Sequence, residues 1–407
     1  MSENKTYLNM EVSKHEYLIM LYFLSLCGNV FFGTFLPQTI YVITALLFVM
    51  LYMFNSKIKS RIKKYAWNNI LIMITTFILL FLAQYIVFGW NTIPGIINHV
   101  SKFIVGAGII AYYGEKFRVV LFKTIYLICL VALPMWIVQQ SVGGIGGLDW
   151  ALGKTIWIYC YRDGEDIVRN CGFFWEPGAM GGYIAFLTLL FFNDLTELYK
   201  NNKFKCLIII ATLLSTQSTG GYMSFGTILV AYLAFSMRSK WKYVLFPICL
   251  SAAFLIYNSV DFLSDKVKGQ NENTQELVWG EYSSTRSGTF YFDLYYIVKH
   301  PLVGNGLHER TRLADHPGLV QLLARGDVAA AGNGFSDTIA KWGLIYCFVY
   351  GWVFFRSNKE LDAKRKLFFL LLVCVILQGE QFMNFPLFLG IPLLRIVNDK
   401  KIINNKR

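Results

Sequence analysis

Long apolar stretches separated by short polar segments dominate this chain. A transmembrane helix needs roughly 20 apolar residues to cross about 30 Å of hydrocarbon. Because backbone groups in lipid must be hydrogen-bonded within their own segment, such stretches have to be helices. We therefore predict an all-α polytopic membrane protein, a single transmembrane domain over 1–407 with about twelve spans. The predicted spans are 17–35, 38–54, 66–88, 99–113, 119–140, 177–192, 205–219, 222–237, 243–258, 334–355, 367–381 and 384–397.

Several of these spans have alternatives. The span at 99–113 is short and contains glycine, and 205–219 is separated from 222–237 only by a polar run. The last two predicted spans form either two helices or one helix kinked near Pro386. The first stretch is too long for the apolar part of a signal peptide and lacks a small-residue cleavage site, so it is predicted to be a retained span.

Positive residues alternate from loop to loop along the chain. With the N-terminus inside, the inner loops are rich in Lys and Arg, whereas the short outer loops 34–38, 89–98 and 215–221 contain neither. This is the bias that sets membrane topology. Because the tail 400–407 is also basic, the number of spans is even. We predict a bacterial-type inner-membrane protein with both termini in the cytoplasm.

Composition supports a lipid environment. Charged residues make up 15% of the chain, against about 25% in soluble domains, and the mean hydropathy is +0.46. The net charge of +13 does not indicate nucleic-acid binding, because the basic residues lie in short loops between spans rather than on one soluble face.

Two predicted outer segments, 141–176 and 259–333, are longer than ordinary connections between helices. Long loops carry function more often than short ones do. Within the second segment we predict a helix over Arg286–Lys299, and a short amphipathic helix over Pro317–Arg325 that lies on the membrane surface. The apolar face of the first of these helices comprises Phe290, Leu294 and Ile297.

In the first outer segment, Arg169 and Glu176 flank an aromatic patch at the entry to a span. The planar guanidinium of Arg169 suits an anion such as a phosphate, with Glu176 as a base or an orienting partner. Alternatively, Arg169 is an interfacial anchor and Glu176 a helix cap beside Pro177. Cys160 and Cys171 form either a disulfide in an oxidising periplasm or two free thiols.

In the second outer segment, cationic side chains gather at the predicted level of the lipid headgroups. A lipid diphosphate there needs several donors to neutralise its charge. The alternative is a solvated loop whose arginines pair with nearby acids. The spacing of His and acidic residues matches no metal site, and no phosphate-binding loop or nucleophile elbow is present, so we predict no metal and no cofactor. The candidate residues are Arg286, His308, Arg310, Arg312 and His316.

Three short motifs together resemble the Wzy-type O-antigen polymerases and the related O-antigen ligases. The first contains Arg169, Gly172, Phe174, Glu176, Pro177 and Gly178; the second has Arg286 followed by His300–Gly306; the third runs from Asn333 to Asp337 and on to Gly343–Leu344. Many relatives, the ligases above all, have a His before the Asn of the third motif. Gly332 stands there in this chain, which favours a polymerase.

The resemblance implies a multi-span, GT-C-like glycosyltransferase that works without a metal. It would move a polysaccharide chain en bloc from undecaprenyl diphosphate to a new lipid-linked repeat unit. Its further partners would be membrane lipids and a Wzz-type chain-length regulator. The catalytic residues would be Arg169, Glu176 and Arg286, and the substrate-binding residues His308, Arg310, Arg312, His316 and Asn333. The alternatives are an O-antigen ligase and, from another class, a lipid-linked oligosaccharide flippase.

Overall fold

The computed structural model describes residues 10–150, 153–162, 168–236, 243–244, 247, 286–325, 332–359 and 361–395. Helices predominate and strands are few, which confirms the predicted all-α class at that level. The first helices are α1 (Lys14–Ser25), α2 (Val30–Phe35), α3 (Thr39–Phe54), α4 (Ser56–Tyr65), α5 (Trp67–Phe88), α6 (Ile93–Tyr113) and α7 (Phe117–Val142). Next come α8 (Pro177–Leu190), α9 (Leu195–Asn201), α10 (Lys203–Ser215) and α11 (Thr219–Phe235). The last are α12 (Arg286–Lys299), α13 (Glu309–Arg312), α14 (Pro317–Arg325), α15 (Gly334–Ser357), α16 (Ala363–Leu377) and α17 (Pro386–Gly390).

Among the residues that the structure describes, three apolar helical stretches are long enough to cross a membrane. They are α5, the 50-residue run Ile93–Val142 that comprises α6 and α7, and α15. Helices α8 and α9, bent by 104° at a short break, provide a fourth if they count as one span. The described part of the chain is thus that of a membrane-associated protein, while the count of about twelve spans stays a prediction.

The prediction of one continuous helix over 17–35 is wrong. The chain breaks between α1 and α2, where the Asn29 side chain accepts a hydrogen bond from Phe32 N and thereby caps α2. The same side chain donates to the carbonyl oxygens of Trp157 and Phe173, each at 2.9 Å. Asn29 therefore ties the first helices to the segment that precedes α8.

The prediction of a helix over 384–397 is also wrong. This part of the chain forms a 3₁₀ turn over Phe382–Asn384, then α17, then a second turn over Ile391–Leu393. Pro386 and Pro392 each stand in the first turn of a short segment, because proline fits there but disrupts a helix interior. The spans at 205–219 and 222–237 are separate helices, as predicted, with Ser218 capping α11. The span at 243–258 lies largely outside the described residues.

A small antiparallel sheet, absent from our predictions, lies within 141–176. Its strands are β1 (Leu148–Trp150), β2 (Gly153–Ile156) and β3 (Tyr159–Arg162), paired in that order. Gly153 of β2 stands opposite Arg162 of β3. The sheet brings its last residue, Arg162, to Glu176 at the start of α8.

Helix α8 is buried along its whole length and packs against α11. The two helices cross where Gly181 meets Gly221: a Cβ atom added to Gly181 would lie 2.8 Å from the Gly221 Cα. Small residues at a crossing let helix backbones approach closely. This contact fixes the first turns of α8 and α11 side by side.

Helix α15 is broken at Gly343, whose φ of 74° is left-handed. The loop that follows α12 pairs with the backbone groups that the break frees. Asn305 N donates to Ala340 O and Leu344 N donates to Pro301 O, both at 2.8 Å. The approach leaves no room for a side chain at Gly304, whose added Cβ would lie 2.4 Å from Lys341 O. The second and third sequence motifs therefore contact each other.

Helix α12 ends at Lys299 and helix α14 begins at Pro317, as predicted, but the apolar face predicted for α12 is not its most buried face. Phe290 is 36% exposed, and the buried residues are Phe292, Asp293 and Tyr296 together with Gly288 and Thr289. The face is rotated because Asp293 turns inward to a buried ion pair with Arg312. A periodicity argument based on apolar residues could not place a buried carboxylate on the inner face.

Candidate functional site

Two glutamates and two arginines meet at one place, which we call the Arg–Glu quartet: Arg162, Glu176, Arg286 and Glu380. Arg162 Nη2 lies 2.6 Å from Glu176 Oε1. Arg286 Nη2 lies 3.2 Å from Glu380 Oε1. The two carboxyl groups are neighbours at the start of α8, since Glu380 Oε1 packs against Gly178, two residues after Glu176, and we call them the carboxyl pair. The quartet brings together Glu176 and Arg286, both predicted as site residues, and adds two residues that were not.

Each member of the quartet comes from a different segment. Arg162 ends β3, Arg286 begins α12, and Glu380 lies in the bend that follows α16. Glu176 occupies the N-cap position of α8, as the alternative interpretation had it, but its side chain makes no capping hydrogen bond. The Glu176 carboxylate is therefore available to Arg162 and Glu380.

Two glycines make room for the quartet. A Cβ atom on Gly178, in the first turn of α8, would lie 2.2 Å from Glu380 Oε1. A Cβ atom on Gly220, in the first turn of α11, would lie 2.6 Å from Arg286 Nη1. The packing of α8 on α11 thus presents two side-chain-free surfaces, against which a carboxyl group and a guanidinium rest.

Burial and the neighbouring Glu176 carboxyl together raise the pKa of Glu380 to about 8, against the opposing effect of Arg286 and Arg162. Glu380 lies outside the helices, in a bend, and its side chain is 11% exposed. A carboxyl group beside a second carboxyl cannot easily ionise as well. At neutral pH Glu380 therefore keeps its proton, and with two guanidinium groups the quartet carries a net positive charge.

A small polar pocket adjoins the quartet. Gln381, directly after Glu380, lines it with Asp337 and Lys341 of α15, which are paired at 2.6 Å. His99 of α6 also lines it, and within the described structure its Nε2 atom is buried without a hydrogen-bond partner. No group of His, Cys, Asp and Glu suited to a metal ion occurs among the residues that the structure describes.

Arg169 lies half-buried in the segment that leads to Glu176. Its neighbour Asn170 anchors that segment, because the Asn170 side chain donates to Ser215 Oγ at 2.8 Å. The predicted role of Arg169 in anion binding stays a prediction. Cys160 and Cys171 are free, buried thiols in one cluster with Val30, which corresponds to the second of the two alternatives.

The contacts of Arg312 are those of a residue that stabilises the fold. It is buried, forms an ion pair with Asp293, lies 3.9 Å from Asp337, and stacks its guanidinium over the Tyr296 ring at 4.7 Å. Burial raises the pKa of Asp293 to about 7, while Arg312 lowers it. These contacts join α12, α13 and α15, so Arg312 holds together the helices around the site.

We expect Arg312→Ala to destabilise the protein strongly, because it leaves the buried Asp293 without its cation. Removing one partner of a buried ion pair costs about 3–5 kcal/mol. The measurement is the thermal unfolding midpoint in detergent. Lys299→Ala is the control, since it breaks an exposed pair between the last residue of α12 and Asp315 and should lower the midpoint far less. Equal midpoints for the two variants would contradict a bracing role for Arg312.

The other predicted substrate-binding residues lie around the ion pair of Arg312 with Asp293. His308 and Arg310 are exposed, and both lie against the Trp90 ring, at 4.8 and 5.3 Å. His316 shares a hydrogen bond of 2.6 Å with the Tyr296 hydroxyl. Asn333 is buried and caps α15 by accepting from Phe335 N and Ser336 N. None of these contacts tests substrate binding, so those assignments stay predictions.

Sequence reasoning missed Arg162 and Glu380. Glu380 did give a signal, since it is a lone acid within an apolar C-terminal stretch, where an ionisable residue marks function more often than structure. Arg162 gave none, because its reach to Glu176 depends on a sheet that the pattern did not predict. In comparisons with known proteins, no family model matches the chain and no curated protein matches it.

Proposed function

We propose that this chain is a polytopic membrane glycosyltransferase of the O-antigen polymerase type, with the quartet at its active centre. It would join oligosaccharide repeat units carried on undecaprenyl diphosphate, at the periplasmic face of a bacterial inner membrane. The observation that carries this proposal is the quartet itself: two guanidinium groups beside a pair of carboxyl groups, of which Glu380 is buried. The resemblance of the three motifs, which contain Glu176 and Arg286, supports it.

The chemistry of the quartet suits a glycosyl transfer with a diphosphate leaving group. The acceptor hydroxyl attacks the anomeric carbon of the donor sugar, and the bond from that carbon to the diphosphate oxygen breaks. Arginines stabilise the charge that develops on the diphosphate. The Glu176 carboxylate takes the proton of the hydroxyl as it attacks. This division assigns the anion to Arg286 and Arg162, and the proton to Glu176.

The finer architecture belongs to the same proposal. About twelve spans with both ends in the cytoplasm would place β1–β3 and α12–α14 outside the membrane, together with the quartet. A site at that level opens sideways to a lipid-linked donor. The energy of carrying the sugar across the membrane has already been spent, so no nucleotide is needed. A Wzz-type regulator of chain length would be a partner.

Loss of the gene tests the proposal against its nearest alternative. A deletion strain that makes lipopolysaccharide with a single repeat unit supports a polymerase. A strain whose lipid A–core carries no repeat unit at all indicates a ligase instead. A strain that accumulates lipid-linked units on the cytoplasmic side indicates a flippase. The readout is the ladder of bands on a lipopolysaccharide gel, with plasmid complementation as the control.

We expect Gly220→Ala to lower polymerisation about 10–100-fold, because the added methyl group displaces the Arg286 guanidinium from a site where about 1 Å of misplacement is costly. Gly226→Ala is the matched control: it lies on the same helix, gains the same helix propensity, and meets no atom within 4 Å. The measurement is transfer rate per amount of protein in the membrane. Equal rates for the two variants would contradict the placement of Arg286 at the active centre.

A further inference from the structure

The quartet contains one more carboxyl group than the reaction obviously needs. A single base suffices to take a proton from a hydroxyl. Yet Glu380, 204 residues after Glu176 in the sequence, is brought beside it at the start of α8, where it packs against Gly178, and each of the two carboxyls pairs with its own arginine. A buried second acid next to a base is costly unless it shares a proton with its neighbour. The arrangement therefore calls for a role for Glu380.

We propose that Glu176 and Glu380 act as one proton-sharing pair. When the pair takes the proton of the acceptor hydroxyl, its negative charge is neutralised, and the positive charge of the arginines acts on the leaving diphosphate instead. Glu380 is thereby a positioning residue, which acts on the reaction through Glu176. The inference rests on the proposed function, since it describes how that reaction is driven at the same site.

The charges balance through the step. Before transfer, the pair holds one proton and one negative charge, the two arginines hold two positive charges, and the quartet carries +1. The acceptor oxygen bonds to the anomeric carbon, the bond to the diphosphate oxygen breaks with its electron pair leaving on that oxygen, and the hydroxyl proton moves to the pair. The quartet then carries +2 while the diphosphate has gained one negative charge.

The ion pairs explain why this gain in charge reaches the diphosphate. Arg162 is held by Glu176 at 2.6 Å and Arg286 by Glu380 at 3.2 Å. A neutral carboxylic acid binds a guanidinium far more weakly than a carboxylate does. Protonation of Glu176 therefore weakens its hold on Arg162 at the moment when the leaving group needs the charge. Arg162 then joins Arg286, which already faces the protonated Glu380 at rest, in stabilising the diphosphate.

Exposure distinguishes the two carboxyls. The Glu176 side chain is 32% exposed and that of Glu380 is 11% exposed. The more exposed Glu176 is the member that can meet a substrate hydroxyl, and the buried Glu380 is the one that keeps the shared proton at rest. Gly178 enforces the contact, because any side chain there would push the Glu380 carboxyl away.

The pair also sets a pH limit. The charged groups that face Glu380 are Glu176 before α8, Arg286 on α12 and Arg162 on β3. Because the pKa of Glu380 is raised to about 8, its proton is present below that pH and is lost as the pH rises through it. Above the transition, two carboxylates cancel both guanidinium charges, so the site binds a diphosphate less well.

The test is the pH profile of initial transfer rate for the purified full-length protein in nanodiscs, between about pH 6 and 9.5, with lipid diphosphate-linked oligosaccharide as both donor and acceptor. For the wild type we expect a fall of about tenfold from neutral pH to one unit above the transition, with a rise in donor KM. Glu380→Gln imitates the protonated acid. We expect its rate at neutral pH to be about tenfold lower, since the pair is lost, and its profile to lack the alkaline fall and the rise in KM.

Glu380→Asp keeps an acid on a shorter side chain, so the fall in transfer rate at alkaline pH should remain and move to lower pH. This variant provides the test if Glu380→Gln does not elute as a folded protein from a size-exclusion column. The proposal is overturned if Glu380→Gln keeps the wild-type alkaline fall, if it matches the wild-type rate at every pH, or if the fall in Glu380→Asp does not move. Failure of the proposed function looks different, because the wild type would then transfer no sugar at any pH.

Discussion

Arg286→Ala is expected to lower en bloc transfer by at least about 100-fold, while the protein remains in the membrane at wild-type amounts. The substitution removes a guanidinium from the diphosphate site and also deprives the buried Glu380 of the cation that lies 3.2 Å away. Both effects weaken stabilisation of the leaving group. The measurement is the initial rate with purified protein, supported by the loss of long chains on a lipopolysaccharide gel.

Arg365→Ala is the matched control. Arg365 also pairs with a carboxylate at 3.2 Å, that of Asp362, but it is 55% exposed and lies in the first turn of α16. Such a surface pair contributes little, so this variant should keep its activity. Arg286→Lys should fall between the two, because lysine restores the charge but not the planar fork. A normal ladder and normal rates for Arg286→Ala would remove Arg286 from the mechanism.

The second large effect is expected for Glu176→Gln, which should lower the rate by about 100-fold or more, since general bases contribute about 10²–10⁴-fold. The amide keeps the size of the side chain and can still hydrogen-bond, but it cannot take a proton at neutral pH. Its effect should fall on kcat more than on donor KM, because Arg286 and Arg162 remain. Steady-state kinetics with the purified protein separates the two parameters.

Glu197→Gln, on the exposed side of α9, is the control for this substitution. It changes the net charge of the protein by the same amount, and it should leave kcat and KM unchanged. If Glu176→Gln kept most of its kcat, another group would have to take the proton of the acceptor hydroxyl. The carboxyl pair would then only stabilise the start of α8.

Much of the helical architecture follows from local patterns. The end of α12 and the start of α14 were predictable because Pro301 and Pro317 mark them in the sequence. The buried face of α12 was not predictable, because Asp293 is buried through its ion pair with Arg312, 19 residues later in the sequence. The helix break at Asn29 was also unpredictable, since it depends on carbonyl groups at 157 and 173 that only the folded chain brings near.

The site was half predictable for the same reason. Glu176 and Arg286 stood out as charged residues beside apolar helix ends, and the structure places them in one site. Their contact runs through Glu380, which comes 94 residues after Arg286, and through Arg162 on an unpredicted sheet. Such pairings are tertiary, so no window along the sequence contains them.

The fold also clarifies what the motif residues do. The segment from His300 to Gly306 resembled part of a polymerase motif, and it could have been a ligand loop. Its backbone instead pairs with α15 at the break beside Gly343. Gly304 and Gly306 thus allow the segment to join α12 to α15, and this junction fixes the helix that carries Arg286.

Transfer by the isolated protein is the most direct test of the central claim. The purified chain in nanodiscs is given undecaprenyl diphosphate-linked repeat units, with a chelator and without nucleotide, and the products are separated by length. We predict chains of increasing length and release of one undecaprenyl diphosphate for each new linkage, both abolished in Arg286→Ala and retained in Arg365→Ala. Folded protein that leaves every unit unjoined, or equal product from the two arginine variants, would contradict the claim.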